Sequence, residues 1–308
     1  MMRKVAVKST ALIGTGLVLI YTALISSADA ITKLLAGGYS APQLYFVSGV
    51  LVMLMTLGAD RAKGQMRSGM RTLYPRAMAI RSLMTVVSVT CYFYAFRLLP
   101  FAEVFVFIGL VPIFAGLLSG PILGEHVRAP VWFALGAGFI GVLCLFPDGV
   151  RAIEMGHAIA FGASLSGTMS MVMSRYIGQR EVNTLAQVFY PNLALAVVMG
   201  AALPFVFKPM PIGDLGWAFA YAGLLFVGRW LLVIALRQLA AYAVTPLMNL
   251  QFVWMVILGA VFFGEFPGAH ILLGVAIIIA SGVYLVYDQF TTVHRPAPVA
   301  KLGRLPAE

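Results

Sequence analysis

Charged side chains occur inside long apolar stretches of this 308-residue chain. Asp29, Arg81 and Arg229 lie in segments whose composition is otherwise that of a membrane span, and Lys33 follows shortly after the first of these segments. A charge at the centre of a bilayer costs about 2.5–3.5 kcal/mol even on low estimates, so such residues usually face a cavity or have a partner. They are therefore the first candidates for binding or coupling chemistry.

Arg229 is the strongest of these candidates. It lies eight residues before Arg237, about 12 Å along a helix from the cytoplasmic end. At that depth we expect a cavity or a carboxylate partner rather than lipid, and we predict that Arg229 binds a substrate carboxylate or closes an inner gate. Arg81 is one turn into its span, and we expect its long side chain to reach the cytoplasmic surface.

Acidic residues in or beside the spans are candidates for coupling or gating. Asp29 and Lys33 are four residues apart, on one face of a helix, and we predict that they pair. The pair is either a structural interaction at the membrane interface or a gate. Glu103, near Arg97 at the outer mouth, is the second candidate acid. Proton coupling and facilitated diffusion both stay open.

Amides and aromatic rings inside the spans are candidates for substrate contacts. An amide in hydrocarbon needs hydrogen-bond partners, and two of the sites follow prolines, where a helix can break. Ligand cavities are mostly apolar with a few placed polar groups, although helix packing would explain each ring equally well. The predicted substrate-binding residues are Tyr92, Asn192, Arg229, Trp230, Asn249, Gln251 and Trp254.

The composition is that of an integral membrane protein. The chain is 61% hydrophobic and 10% charged, whereas soluble domains carry about 25% charged residues. Its net charge of +10 is spread between apolar spans rather than gathered in one patch, so we expect no nucleic-acid partner. Cys91 and Cys144 each fall in an apolar span and form no metal-binding pattern, and the sequence predicts no cofactor and no metal.

Ten apolar spans of about 20 residues predict an all-α protein, because a helix of that length crosses the hydrocarbon layer. A cleavable signal peptide ending at Ala28-Asp29-Ala30 is the alternative for the first span, and a retained helix is preferred. The predicted spans are 10–30, 41–58, 77–97, 102–121, 130–147, 156–176, 184–206, 216–236, 242–263 and 269–287.

The distribution of basic residues predicts the orientation. With the N-terminus inside, 15 of the 21 Lys and Arg residues fall on the cytoplasmic side and 4 on the outer side, and Arg81 and Arg229 lie within spans. Cytoplasmic loops carry the excess of basic residues, so both termini are predicted to be cytoplasmic.

Two segments of the chain match each other at an offset of 140 residues. Each contains Ala-x-Arg-x-Leu and ends in Gly-Glu, and the identities are Ala95/Ala235, Arg97/Arg237, Leu99/Leu239, Val104/Val244, Leu110/Leu250, Leu118/Leu258, Gly124/Gly264 and Glu125/Glu265. We predict two five-helix repeats, residues 1–149 and 150–290, followed by a cytoplasmic tail at 291–308. An odd number of spans per repeat inverts the second repeat in the membrane, an arrangement typical of secondary transporters.

The chain resembles the EamA-type ten-helix exporters of the drug/metabolite transporter superfamily. The resemblance is carried by Ala41-Pro42-Gln43, the segment from Tyr94 to Glu103, Leu110 to Phe114, Leu123-Gly124-Glu125 and Gly264-Glu265. It implies spans 1–4 and 6–9 around a central cavity, with spans 5 and 10 outside. It also implies a bacterial cytoplasmic (inner) membrane and export of small metabolites, often amino acids. The aromatic amino-acid exporters are the nearest relatives it suggests. The family often has an arginine in the second span, where this chain has Phe46, Val47 and Ser48.

The expected function is a secondary transporter that exports a small metabolite, with aromatic or other apolar amino acids favoured over flavins or drugs. We expect membrane lipid and the substrate as partners, and a monomer or a homodimer. A scaffold or a lipid-modifying enzyme is the alternative. The four histidines lie in loops or at span ends, with no two on one helix face, which disfavours an enzyme.

Overall fold

The protein is helical throughout the part that the computed structural model describes: residues 2–62, 71–99, 107–125, 154–181, 183–238 and 250–264, with scattered positions between 104 and 284. A short 3₁₀ helix, Leu203–Phe205, accompanies the α-helices. The continuous helices are α1 (Met2–Ala36), α2 (Ala41–Ala62), α3 (Pro75–Leu98), α4 (Val111–Leu123), α5 (Met155–Gly178), α6 (Thr184–Ala202), α7 (Ile212–Gln238) and α8 (Gln251–Phe263).

Five of the described segments are long and apolar enough to cross a membrane: Ile13–Ala36, Ala41–Arg61, Pro75–Leu98, Thr184–Phe205 and Ile212–Gln238. Helix α5 has 24 residues, enough to span, but does not belong to this set. Its sequence carries five hydroxyl side chains between positions 164 and 174, which lower its hydropathy. The structure explains them, because three of them line an internal cavity.

The described helices overlap the predicted spans, but two of the spans are interrupted. In span 102–121 a turn at residues 109–110 precedes α4, and in span 242–263 a turn at Leu250 precedes α8. The Leu110 amide donates to the Phe107 carbonyl at 3.1 Å, and the Leu250 amide donates to the Leu247 carbonyl at 3.1 Å. Span 130–147 lies largely outside the described residues and span 269–287 lies about half outside them, and the described positions of both are helical.

Helices of the first half pack mainly on helices of the second half. The largest interfaces join α3 to α5, α1 to α7 and α2 to α6, and smaller ones join α4 to α5 and α1 to α8. Glycines permit the closest approaches. A Cβ built on Gly49 of α2 would lie 3.1 Å from the Asn192 carbonyl oxygen of α6, and one on Gly167 of α5 would lie 2.7 Å from Ser88 Oγ of α3. The cavity between these helices, described below, is thus lined by residues of both halves.

The two halves also match in local backbone geometry at the offset of 140 residues. Helices α4 and α8 end at Gly124 and Gly264, which adopt left-handed conformations with φ of 68° and 65°. A residue with a Cβ is strained in that region, so glycine is favoured at both helix ends. The repeat seen in the sequence is therefore present in the fold.

Contacts between loops define two opposite ends of the bundle. The end that holds the Glu125 side chain, the start of α3 and the end of α7 is called the Glu125 face. The end that holds Gln43, the start of α2 and the start of α7 is called the Gln43 face. Arg237 lies at the last turn of α7, on the Glu125 face, whereas Arg97 lies at the last turn of α3, which starts on that face.

Candidate functional site

A cavity of about 220 Å³ lies between the two halves of the bundle. It reaches along α3 from Arg81 to Phe96, which is about 22 Å by the helical rise. Apolar side chains alternate in its wall with a set of polar ones: Tyr21, Asp29, Tyr45, Arg81, Thr85, Ser88, Tyr92, Ser164, Ser170, Ser174, Gln187, Tyr221, Arg229 and Gln251. Among the described residues, no group of three or more His, Cys, Asp or Glu could hold a metal ion.

Arg229 lies in the wall of this cavity, held by Asn192. Its Nη1 donates to Asn192 Oδ1 at 2.6 Å, and Asn192 Nδ2 donates to the Val188 carbonyl at 2.7 Å. Asn192 is 1% exposed and does not line the cavity. The predicted substrate contact at Asn192 is therefore an indirect one, since its amide orients the guanidinium. Within the described part of the chain Arg229 forms no salt bridge.

Asp29 and Gln251 join α1 to α8 at the other end of the cavity. Gln251 Nε2 donates to Asp29 Oδ2 at 2.8 Å, and Ser26 Oγ donates to the Gln251 carbonyl at 3.3 Å. Lys33, the predicted partner of Asp29, instead places Nζ 4.9 Å from the centre of the Phe263 ring. The predicted Asp29–Lys33 pair is thus replaced by a different partner for each residue, because α8 packs against this part of α1.

Arg81 differs from its sequence prediction. Its side chain is 8% exposed and lines the cavity rather than reaching the cytoplasmic surface. Nη1 donates to Gln187 Oε1 at 2.8 Å, so α6 holds this arginine as it holds Arg229. Nearness to the end of a span suggests surface exposure when one helix is considered alone. The polar run of α5, which packs on α3, is the signal in the sequence for a buried site.

Hydroxyl groups join α3 to α5 along the cavity wall. Tyr92 OH and Ser164 Oγ are 2.8 Å apart, Thr85 Oγ1 and Ser170 Oγ are 2.7 Å apart, and Ser88 Oγ donates to the Ala163 carbonyl at 2.8 Å. By contrast, the hydroxyls of Thr90, Ser166 and Thr168 bond to backbone carbonyls of their own helices. Tyr92, one of the predicted substrate-binding residues, thus lines the cavity, and Ser164 fixes the orientation of its hydroxyl.

The aromatic residues of the wall are mainly tyrosines. Tyr45 and Tyr221, which the sequence analysis does not single out, lie with ring centres 6.2 Å apart. Trp230 packs on Phe226, with ring centres 6.1 Å apart, and is not part of the wall. Trp254 is 42% exposed and also lies outside the wall, so its predicted role in binding is not supported by its position.

Two of the predicted site residues, Asn249 and Glu103, lie outside the described residues.

Ionised groups join the two halves at the Glu125 face. Arg175 Nε lies 3.1 Å from Glu125 Oε1, and Arg175 Nη1 donates to the Leu236 carbonyl at 2.7 Å. Glu181 accepts hydrogen bonds from Thr72 Oγ1 at 3.0 Å and from the Leu73 amide at 2.8 Å. Because Glu125 ends its repeat, the sequence suggests that it caps the helix or pairs within the following loop. It pairs with Arg175 of α5 instead.

Neutral groups provide most of the contacts at the Gln43 face. Gln43 Nε2 donates to the Lys208 carbonyl, and the Lys208 amide donates to Gln43 Oε1 at 3.0 Å. Tyr39 OH donates to Asp214 Oδ2. This hydrogen bond raises the pKa of Tyr39, because it favours the protonated phenol. The two halves are therefore joined at opposite ends of the bundle by contacts of different chemistry.

A second cavity of about 440 Å³ lies beside α1, α7 and α8. Its wall is apolar apart from Ser27, and it includes Trp217, Phe262 and Phe263. Although larger, it offers no set of convergent polar groups. The smaller central cavity is therefore the better candidate for the functional site.

The apolar helices and the polar cavity between the two halves of the chain are those of a multi-pass membrane protein. The model of the EamA-like transporter family matches residues 9–146 and 154–287. The chain belongs to this family. It is a membrane transporter and not an enzyme.

Relatives with assigned names support the same class. The chain is 26% identical to a riboflavin transporter of Rhizobium johnstonii over 75% of this chain and 76% of the relative. It is 22% identical to an S-adenosylmethionine uptake transporter of Rickettsia conorii, over 74% and 78%. It is 24% identical to the pseudopaline exporter CntI of Pseudomonas aeruginosa, over 68% and 74%.

One solved crystal structure superposes with a TM-score of 0.70 over 94% of this chain and 99% of that chain, at 18% identity. At that identity the likeness concerns the fold alone. The family model matches the chain twice, once in each half, which agrees with the matched halves of the bundle.

Proposed function

We propose that this protein is a secondary transporter that exports small metabolites carrying a carboxylate, with amino acids of aromatic or other apolar side chain favoured. The observation that carries the proposal is Arg229 in the cavity wall, oriented by Asn192 and unpaired with any carboxylate of the described residues. A guanidinium in a low-dielectric site binds a carboxylate strongly because it can offer two parallel N–H donors.

The other wall residues suit the remainder of such a substrate. Four tyrosines supply aromatic surface, and Asp29 supplies a carboxyl group toward the opposite end, where an amino group could be placed. The volume of about 220 Å³ lies below the range of about 300–1,000 Å³ typical of drug-sized ligands, which favours a compact solute.

Alternating access is proposed for the mechanism. Ten spans in two inverted repeats would let the halves exchange conformations around the cavity. The matched turns at Leu110 and Leu250, the matched glycines at the ends of α4 and α8, and the opposite positions of Arg97 and Arg237 support this arrangement. Both termini are proposed to be cytoplasmic, in a bacterial inner membrane. Surface labelling of cysteines placed at positions 97 and 237 would contradict the inversion if both reacted from one side.

A flavin is the second candidate substrate. It is favoured by the riboflavin transporter among the relatives and by the tyrosine-rich wall. A flavin lacks the carboxylate that Arg229 would bind, and it is larger than an amino acid. The two candidates therefore differ in their dependence on Arg229.

Counterflow in proteoliposomes tests the proposal. Purified protein would be reconstituted and assayed with aromatic, aliphatic and charged amino acids and with riboflavin. We expect amino-acid exchange, and a loss of at least 100-fold in kcat/KM in the Arg229→Met variant, since a charged hydrogen-bonding partner is removed. Arg180→Met is the matched control, because Arg180 is exposed and bonds to the Tyr176 carbonyl. Full exchange by Arg229→Met at normal folded yield would contradict the proposal.

A further inference from the structure

Arg81 and Gln187 form a polar cluster at the end of the central cavity nearest the Glu125 face. Both side chains line the cavity, and they are 8% and 1% exposed. Arg81 Nη1 donates to Gln187 Oε1 at 2.8 Å, and Ser174 Oγ donates to the same oxygen at 2.7 Å. The orientation of the Gln187 amide is thereby fixed, because a flipped amide would point its N–H groups at a guanidinium that can only donate.

Two donors of this cluster remain without a partner. Arg81 Nε and Gln187 Nε2 are buried and donate to no other described residue. Buried donors without acceptors are costly, and native proteins keep few of them. The Arg81–Gln187 cluster is thus incompletely satisfied by the described residues, at a place where both side chains line the cavity.

The surroundings of the cluster specify the charge of an acceptor bound there. Arg81 forms no salt bridge within the described residues, and Thr85, Ser170 and Ser174, which lie beside it, are neutral. Asp29, the acid of the cavity wall, is bonded to Gln251 about 10 Å from the end of α1 that lies on the Gln43 face.

The acids of the Glu125 face are also engaged elsewhere. Glu125 pairs with Arg175, and Glu181 accepts bonds from Thr72 and Leu73. The cluster therefore carries a positive charge that no described side chain neutralises.

We propose that Arg81 and Gln187 bind the carboxylate of the transported solute at a second position, separate from Arg229. The Arg81 guanidinium provides the charge for the carboxylate, and the Gln187 amide orients that guanidinium as Asn192 orients Arg229. The proposal rests on the proposed function, and it adds a second station for the substrate at the end of the cavity that the distribution of basic residues places toward the cytoplasm.

The two arginines are held by different amides of α6. Gln187 and Asn192 are five residues apart, a rise of about 7.5 Å along the helix. On that separation the proposal gives each arginine its own position of the solute. A solute entering at the Glu125 face would be bound first by Arg81 and then by Arg229.

Gln187→Glu is the decisive variant, because it adds a carboxylate next to Arg81 with almost no change in shape. The internal carboxylate would neutralise Arg81 and so compete with the carboxylate of a ligand. Benzoate is the probe, and binding is measured by calorimetry on purified protein at constant ionic strength, with chloride and phosphate as comparison anions. The measurement is made in the Arg229→Met background, so that the Arg81 position is observed alone.

We expect benzoate to bind the Arg229→Met protein, and the added Gln187→Glu substitution to weaken that binding at least tenfold while the thermal midpoint of the unliganded protein rises. Gln187→Met, which removes the amide without adding a charge, should weaken binding about threefold. This second variant keeps the test open if Gln187→Glu does not fold.

Contrary results have distinct meanings. Unchanged benzoate affinity in Gln187→Glu, with a raised thermal midpoint, would make the cluster purely structural and overturn the proposal. Equal affinity for benzoate, chloride and phosphate would overturn the assignment to a carboxylate. If benzoate behaves as expected but wild-type protein exchanges no amino acid, the proposed function fails and the second carboxylate position stands.

Discussion

The Glu125 face and the Gln43 face both join the first half of the chain to the second, but with different chemistry. At the Glu125 face an ion pair and a carboxylate that accepts two hydrogen bonds make the contacts. At the Gln43 face an amide exchanges two hydrogen bonds with the backbone of Lys208. On the proposed alternating-access mechanism, opening the cavity toward one side would separate the groups on that side.

This difference predicts unequal responses to mutation. Removing one member of a partly buried ion pair leaves a charge without its partner, whereas removing a neutral amide leaves backbone groups that water can reach at a loop. The ligand and the two faces together set the populations of the conformations, and a change at one face shifts the population by the energy it removes.

Glu125→Gln should give the largest shift. The pair with Arg175 is lost, and we expect about 2 kcal/mol, or about 30-fold, in favour of opening at the Glu125 face. The readout is the rate at which an impermeant maleimide labels a Ser170→Cys reporter in a background without other cysteines. The charge-swapped double variant, Glu125→Arg with Arg175→Glu, should restore the original rate, and an unaltered rate in the single variant would deny the pair a role in closure.

Gln43→Leu should give a smaller shift in the opposite direction. Two hydrogen bonds to Lys208 are lost, and we expect about 1 kcal/mol, or about fivefold, in favour of opening at the Gln43 face. The same reporter, labelled from the other side of the membrane, measures it. Gln43→Glu keeps the acceptor for the Lys208 amide and should lie between wild type and Leu. Faster labelling from the Glu125 side would show that the face is wrongly assigned.

Tyr39→Phe tests the Gln43 face through its pH dependence. The raised pKa of Tyr39 means that its hydrogen bond to Asp214 stabilises the fold fully below the ordinary tyrosine pKa of 10.0. The contribution is lost as the pH rises through the raised value. Wild type should therefore have the higher thermal midpoint from pH 7 to 9, and the difference from Tyr39→Phe should narrow above pH 10. A difference that grows with pH would reverse the assigned sign.

Trp254→Leu should have the smallest effect, because Trp254 belongs to neither face and lies outside the cavity wall. We expect less than a twofold change in KM for the exchanged amino acid. Tyr92→Phe, which keeps the ring and removes the hydroxyl bonded to Ser164, is the comparison within the wall and should raise KM severalfold. A tenfold rise in Trp254→Leu would place that residue in the binding site after all.

The all-helical, apolar character of the chain could be predicted from the sequence, because it depends on composition and helical geometry along one segment at a time. Which side chains meet across helices could not. Asp29 and Lys33 share a helix face, so local spacing suggests a pair, but α8 brings Gln251 to Asp29 instead. Arg81 is close to a helix end, which local reasoning equates with solvent, although the neighbouring α6 buries it.

The polar residues of α5 carry more information about the cavity than any single charged residue does. Five hydroxyls in eleven residues are too many for a helix that faces lipid, and their recurrence at positions 164, 166, 168, 170 and 174 places several on one face. Their partner helix, α3, carries Thr85, Ser88 and Tyr92. Matching the two polar faces is a route from the sequence to the cavity that lies between them.

Pro191 lies on α6 between the two amides that hold the arginines. Proline has no N–H, so the carbonyl of Gln187 lacks its usual donor four residues later, and helices bend readily at such a point. A bend there changes the separation of the two guanidiniums without breaking either of their hydrogen bonds to α6. If the solute passes from one arginine to the other as proposed, the distance between the two positions is set by the curvature of a single helix.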